Sequence, residues 1–379
     1  MNPFYFDYAS TTPADPEVIR AMESFFHDRF GNASSPHAFG REAQKALEDA
    51  RQTLAGFIGS LPEEIVFTSG ATESNNSAIL GAAFSHRDQG NHIIISSIEH
   101  HSVHEPAHFL EKFGFRVTSV DVDPLGLVDP EAVRKAITDK TVLIAVMHAS
   151  NEIGTIQPVA GIGKVARERG IPFLVDAVQT VGHIPVDVRE LGADMLSLSA
   201  HKFYGPKGVG ALYIRKGVKV THYLMGGDQE RGRRASTQNV AGIVGMAKAV
   251  ELCRGKMADE ARTQTALRDR IIAEVLRRID GVRLNGHPAS RLPNNVHFSF
   301  DKIQGETLLM SLDMEGIAAS MGSACTAGAM EPSRVLRAIG LSDELAFGSL
   351  RLTIGRWTTQ EHVDALLETL PAVVKRLRI

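Results

Sequence analysis

Lys202 stands where a lysine is chemically useful. An apolar run, Ala193 to Leu198, ends in Ser199-Ala200-His201-Lys202, and Phe203-Tyr204-Gly205-Pro206-Lys207-Gly208 follows. A lysine delivered to the end of a buried strand can have a depressed pKa and act as a nucleophilic amine. One use for such an amine is a Schiff base with a carbonyl cofactor. The alternative is a surface turn that carries two lysines. Asp176 closes a second apolar run, Phe173-Leu174-Val175. A carboxylate there is costly unless partnered. The partner is a pyridinium nitrogen, or Asp176 is a helix N-cap or a satisfied buried aspartate. Cys325 sits among small residues in Gly322-Ser323-Ala324-Cys325-Thr326-Ala327-Gly328. Such a setting leaves a thiol exposed and able to act as a nucleophile. Cys253, between Leu252 and Arg254, reads as a packing residue. Arg351, in Leu350 to Ile354, is a candidate carboxylate clamp or one half of an ordinary salt bridge.

Ser69-Gly70-Ala71-Thr72 lies between a strand-like and a helical pattern. Backbone amides and hydroxyls at such a turn bind phosphate, although ordinary strand-to-helix turns look the same. Neither a dinucleotide fingerprint nor a Walker A loop is present there. His100, His104 and His108 recur every four residues, which invites a metal reading. Pro106 interrupts that run and nothing completes a tetrahedral set. An imidazole at a strand end, stacking on a planar cofactor, suits His100 better.

These groups need a scaffold that brings them together. Strand-like runs are expected at Glu64–Thr68, His92–Ile98, Phe115–Val120, Thr141–His148, Pro172–Val175 and Met195–Leu198. Helical patterns run between them, as at Arg41–Phe57, with Pro16 opening a helix at Glu17 to Arg29. Apolar strands alternating with helices predict an α/β fold, its mostly parallel central sheet covered by helices on both faces. In such sheets the site lies beyond the carboxyl ends of the strands. Ser69 to Thr72, His100, Asn151, Asp176, Gln179 and Ser199 to Lys202 all fall there. From Ala247 the pattern changes to a long helical connector, with a break before Ala266, and then a smaller α+β domain. A capping box at Thr358 to Glu361 is expected to open the last helix. The expected division is 15–252 for the large domain, with 1–14 and 253–379 forming the small one.

The whole chain sets outer bounds. Its 379 residues, 43% hydrophobic and 22% charged, are those of a globular protein with room for two domains. A net charge of −3 offers no basic field for nucleic acid or an anionic membrane. Two cysteines make no disulfide framework. No signal peptide or spanning segment is evident, and a cytoplasmic location is expected.

Taken together, the segments resemble the pyridoxal-phosphate-dependent cysteine desulfurases of the class V aminotransferase family. The resemblance spans nearly the whole chain in the family's order. Its motifs here are Asp7 to Pro13, Phe30 to His37, Thr68-Ser69-Gly70-Ala71-Thr72-Glu73, Asn151-Glu152-Ile153-Gly154 and Asp176-Ala177-Val178-Gln179. Ser199-Ala200-His201-Lys202 and Gly322-Ser323-Ala324-Cys325-Thr326 complete the set. The resemblance implies fold type I and a homodimer with sites at its interface. It implies Lys202 as the pyridoxal 5'-phosphate lysine. Ala71, Thr72, Asn151, Gln179, Ser199, His201 and Thr237 would bind the cofactor, with Thr237 reaching across from the partner. Asp176 would face the pyridine nitrogen, and His100 would stack on the ring and assist proton transfers. Arg351 and Asn151 would hold the L-cysteine carboxylate. Cys325, on a loop like the longer form of the family, would take the sulfur as a persulfide and pass it to an acceptor protein. That acceptor would serve iron–sulfur cluster assembly or tRNA thiolation, and the resemblance allows iron–sulfur cluster contact through Cys325. No resident metal is implied. The alternatives are a selenocysteine lyase, another class V lyase, or a non-catalytic assembly subunit. The family usually has glycine where this chain reads Ser236, in Arg234-Ala235-Ser236-Thr237.

Overall fold

The computed structural model describes residues 4–322 and 332–378. Its strands are β1 (Phe4–Tyr5), β2 (Ile65–Thr68), β3 (His92–Ser96), β4 (Arg116–Val120), β5 (Thr141–Met147) and β6 (Phe173–Asp176). They continue with β7 (Met195–Ser199), β8 (Gly210–Ile214), β9 (Val282–Leu284), β10 (Asn295–Phe300), β11 (Ile317–Ala318) and β12 (Ser349–Thr353). The helices are α1 (Pro16–Glu23), α2 (Ala38–Ile58), α3 (Ala71–Ser85), α4 (His101–Phe109), α5 (Pro130–Ala136) and α6 (Val159–Glu168). They continue with α7 (Gln229–Gly232), α8 (Val240–Arg278), α9 (Gly305–Met314), α10 (Arg334–Ala338), α11 (Asp343–Phe347) and α12 (Gln360–Leu377).

Seven strands form the central sheet in the order β2-β8-β7-β6-β5-β3-β4. All run in one direction except β8, which is antiparallel to β2 and β7. The sheet is mostly parallel, as expected. Its strands read as unbroken apolar runs because both faces are covered. Ile94, Ile144, Val146, Phe173 and Val175 pack under α2, α5, α6 and the start of α8. Ile93, Ile95, Leu143, Ala145 and Leu174 pack under α3 and α4. Each of the larger side chains contributes about 2 kcal/mol by leaving water. A second core lies between the antiparallel sheet β12-β10-β9 and helices α9 and α12, with the far half of α8.

Several local expectations differ from the structure. Strand β8 falls in a stretch to which the sequence reading assigns no element. Gly205-Pro206-Lys207-Gly208 masks the short run behind it, and Gly210 is there for close approach. A Cβ on Gly210 would lie 2.7 Å from the Gly70 Cα. Helix α8 is continuous over 39 residues, without the expected break. Its first half feeds the larger core through Met246 and Val250, and its second half feeds the other through Leu267 and Ile271. Helix α1 ends at Glu23 and tightens into a 3-10 turn, Ser24–Phe26, short of Arg29. Pro106 sits inside α4 rather than interrupting it. No capping box opens α12. Thr359 caps it by accepting from the His362 amide, while Thr358 Oγ1 accepts from the Gly355 amide at 3.0 Å.

Ser236 holds a φ of +86°, the left-handed region that glycine prefers. The backbone here thus takes a conformation that suits glycine, with a serine in place. The left-handed penalty is about 1 kcal/mol, partly offset because glycine loses more freedom on folding. Ser236→Gly is expected to raise stability by about 0.5 kcal/mol, seen as a higher urea midpoint with an unchanged slope. A lower midpoint would refute it.

Candidate active site

The carboxyl ends of β2, β3, β5, β6 and β7 open onto one cavity of about 1220 Å³. The N-terminal segment Ala9–Thr11 forms one wall, and Gly322, Pro332–Val335 and Arg351 from the second unit form another. Ala71, Thr72, His100, Asn151, Asp176, Gln179, Ser199, His201, Lys202 and Arg351 all line it. Thr237 does not line this chain's cavity and is exposed. Cys325 lies outside the described residues. Its nearest described neighbours in the chain, Gly322 and Pro332, both line the cavity.

Strand β7 ends at Ser199, and one 3-10 turn, Ala200–Lys202, sets Lys202 at the cavity. The Lys202 amine donates to the carbonyls of Ala9 at 2.6 Å and Ser10 at 2.8 Å. The His183 ring bonds the Lys202 carbonyl at 2.9 Å, and Thr12 N–H donates to the His201 carbonyl at 2.9 Å. Two residues on, Tyr204 has a φ of +67°, a strained backbone of the kind found at sites that fix a side chain. The surface-turn alternative for Lys202 is set aside by this cavity position.

Asp176 ends β6 and is buried. Its carboxylate accepts from Asn75 Nδ2 at 2.8 Å and from Val178 N–H at 3.0 Å. Asn75 Nδ2 also donates to Ser102 Oγ at 2.9 Å, and Ser102 Oγ lies 2.8 Å from His100 Nδ1. His100 caps α4, its Nδ1 accepting from the Ser102 amide at 3.1 Å. Burial pushes the His100 pKa down, as do Lys202, His101 and Arg334, while Asp176 pulls it up. Sequence reasoning missed Asn75 and Ser102. The signal was a polar residue, Asn75, on the helix stripe that otherwise buries Ala78, Ile79 and Ala82.

Gly70 caps α3 with its amide end at the cavity. Fifteen residues of aligned peptide dipoles favour an anion there. Glu73, in the first turn, would repel one, but Arg234 grips it at 2.8 and 3.2 Å and Ser69 N–H donates to it at 2.8 Å. Burial raises the Glu73 pKa, yet these partners outweigh it and hold the carboxyl below its ordinary range. Lys207, Ser199 and His201 complete this end of the cavity. Burial, then Lys202 and Lys207, push the His201 imidazole down to about 4.

Arg351 is 2% exposed and already engaged. Nη1 donates to the carbonyls of Asn151 at 2.9 Å and Gly322 at 2.8 Å. Nη2 donates to Asp7 Oδ1 and Ser10 Oγ, both at 2.7 Å. All four Nη hydrogens are therefore committed, and among the described residues only Nε lacks an acceptor. Asn151 meets Arg351 through its backbone carbonyl.

The aminotransferase class-V family matches residues 4–366. The chain belongs to this family. It is 54% identical over 374 residues to a cysteine desulfurase IscS of Dictyoglomus turgidum, covering 99% of this chain and 95% of that one. It is 52% identical over 374 residues to a cysteine desulfurase IscS of Methanosarcina thermophila, covering 99% and 92%. Among solved structures, a NifS-like protein superposes with a TM-score of 0.93 at 37% identity, covering 99% of this chain and all (100%) of that one. A structure titled SspA in complex with cysteine superposes with a TM-score of 0.83 at 37% identity, covering 94% and 99%.

Other features of this class V chain bear on function. Among the described residues no three His, Cys, Asp or Glu side chains are placed to hold a metal. The rings of His104 and His108 instead meet at 4.4 Å, tilted to each other, with Glu105 and Glu111 as their respective partners. No helix among the described residues is long and apolar enough to cross a membrane. Glu99, which sequence reasoning passed over, lines the cavity beside His100. One oxygen accepts from Met147 N–H at 2.9 Å and Ser96 Oγ at 2.5 Å. The other has no partner among the described residues.

Burial drives the Glu99 pKa up to about 8. The folded state therefore holds a proton that the unfolded chain releases near its ordinary value of 4.5. The stability this proton brings is full below pH 4.5 and is lost as pH rises toward 8. Glu99→Gln keeps the shape and removes the titration. Relative to this variant, the natural chain is expected to lose a few kcal/mol between those limits, measured by urea unfolding across the pH range. Parallel pH profiles would refute it.

Proposed function

We propose that this chain is a pyridoxal-phosphate-dependent cysteine desulfurase, converting L-cysteine to L-alanine and passing the sulfur on through Cys325. The observation that carries this reading is convergence on one cavity. Lys202, Asp176, and both described flanks of the Cys325 segment line the same space. The 54% identity to a cysteine desulfurase IscS supports it.

The residues fit the cofactor. An amide-rich helix end suits its phosphate, and an amine, Lys202, suits its carbonyl. A carboxylate whose hydrogen-bond donors are two neutral N–H groups, Asp176, suits its pyridinium. When bound, pyridoxal 5'-phosphate supplies an electron sink for charge developing at the substrate Cα.

The chain's residues do the rest. Ala71, Thr72, Ser199 and His201 would hold the phosphate, Gln179 the ring oxygen, and Thr237 of a second copy would reach the same phosphate. Lys202 would take the Cα proton, with His100 assisting proton transfers. The substrate carboxylate would exchange with Asp7 or Ser10 at Arg351 Nη2, one anion for another in the first case. Asn151 would flank it. The Cys325 thiolate would attack the substrate sulfur, forming the S–S bond as the bond from Cβ to sulfur breaks. Net, cysteine and a thiol give alanine and a persulfide, so no outside oxidant is consumed. The persulfide sulfur would go to an acceptor protein of iron–sulfur cluster assembly or tRNA thiolation. In this reading residues 15–252 form the cofactor domain, with 1–14 and 253–379 forming the second.

The test uses the full chain loaded with cofactor and given L-cysteine and a thiol reductant. Alanine and sulfide should appear in equal amounts. Cys325→Ala should keep the cofactor absorbance and lose sulfide release. Sulfide release surviving that substitution would overturn the persulfide route, and faster turnover of selenocysteine would assign the chain to selenium instead.

A further inference from the structure

We propose that Asn75 and Ser102 bridge Asp176 to His100 and fix the His100 proton on Nε2, which makes both of them positioning residues of the site. The inference deepens the desulfurase reading, on which the role of His100 rests.

The bonding leaves little freedom. Asn75 is fully buried on α3. Its amide nitrogen gives one hydrogen to Asp176 Oδ2 at 2.8 Å and the other to Ser102 Oγ at 2.9 Å. Turning the amide over would set its oxygen against the carboxylate, so Asp176 fixes its orientation. Ser102 Oγ thus accepts from Asn75, and its own hydrogen is available to His100 Nδ1 at 2.8 Å. The Ser102 backbone N–H points at the same Nδ1, at 3.1 Å. With two donors on Nδ1, that nitrogen must present its lone pair. The single proton of the neutral ring is then on Nε2.

Protonating Nδ1 would break the bond from the Ser102 backbone N–H, set those two donors against each other, and force the Ser102 hydroxyl to turn away from its partner. The charges around the ring act on the same equilibrium: Asp176 favours the imidazolium, while Lys202, His101 and Arg334 oppose it, as does burial. The bridge therefore holds His100 as a neutral donor with one defined active nitrogen. It also links the carboxylate assigned to the cofactor nitrogen with the imidazole assigned to proton transfer.

The experiment is nitrogen NMR of the full chain, histidine-labelled and free of cofactor. Natural His100 should show the Nε2–H tautomer and a low protonation midpoint. Ser102→Ala removes one donor from Nδ1 and keeps the other. It should give a tautomer mixture and raise the midpoint by about one pH unit. Asn75→Ala should move it in the same direction by less, and Ser102→Thr should restore it. In the loaded enzyme the acid limb of the kcat/KM profile should move with the midpoint. A protonated Nδ1 in the natural chain, or a midpoint unmoved in both alanine variants, would overturn the bridge. Because the spectra need neither cofactor nor substrate, a chain with the Nε2–H tautomer that makes no alanine would refute the desulfurase reading and leave the bridge intact.

Discussion

Lys202→Ala is expected to lose the visible absorbance of the bound cofactor and to slow alanine formation by about a thousandfold or more. Two roles vanish together. The amine that suits the cofactor carbonyl is gone, and so is the base proposed for the substrate Cα proton. The substitution also leaves the Ala9 and Ser10 carbonyls without the amine that donates to them. Carbonyls tolerate this better than N–H groups do, so the fold should survive, as circular dichroism would check. Adding a small primary amine should return part of the rate, because it can stand in as base. Full absorbance and near-normal turnover in the variant would remove Lys202 from the site.

Arg351→Leu is expected to cost about 3 kcal/mol of stability and to raise KM for cysteine more than it lowers kcat. The side chain is 2% exposed, and its fork joins three other parts of the chain to β12. They are Asp7 and Ser10 near the start, Asn151 after β5, and Gly322 before the Cys325 segment. Leucine fills comparable space but leaves the Asp7 carboxylate without its counter-charge. Asp7→Asn should cost less, since Arg351 keeps its three other acceptors and the asparagine oxygen can still accept from Nη2. Urea unfolding of the two variants measures the difference. A loss under about 1 kcal/mol for Arg351→Leu would mean an ordinary, screened ion pair.

Much of the site was legible because its residues end apolar strands. Asp176 after Phe173-Leu174-Val175, Lys202 after β7, and the Ser69–Thr72 turn after β2 are marked by a polar group where burial should stop. The fold class followed from the same alternation. What was not legible lies across the chain rather than along it. Asn75 is a polar interruption in one helix, and only the fold sets it against Asp176, on β6. Glu99 looks like a strand-end acid until burial leaves one oxygen unpartnered. The commitment of all four Arg351 Nη hydrogens depends on Asp7 and Ser10, more than 300 positions away in the chain. Strand β8 was hidden by the Gly and Pro before it, and the unbroken α8 by polar residues over Gly255 to Thr265 that suit an exposed stretch of helix equally well.

The carbonyls that hold Lys202 have a consequence for how the chain folds. Ala9 lies 193 residues from Lys202, and Asp7 lies 344 from Arg351. Contacts of such separation carry a loop-closure cost that local elements do not share. The parallel sheet can assemble from successive strand and helix pairs, but the contacts of Asp7 and Ser10 with Arg351 can form only once the sequence near position 351 is in place. If the site works as proposed, its complete wall would be a late event in folding, and a partly synthesised chain would have helices and sheet before it has the whole site.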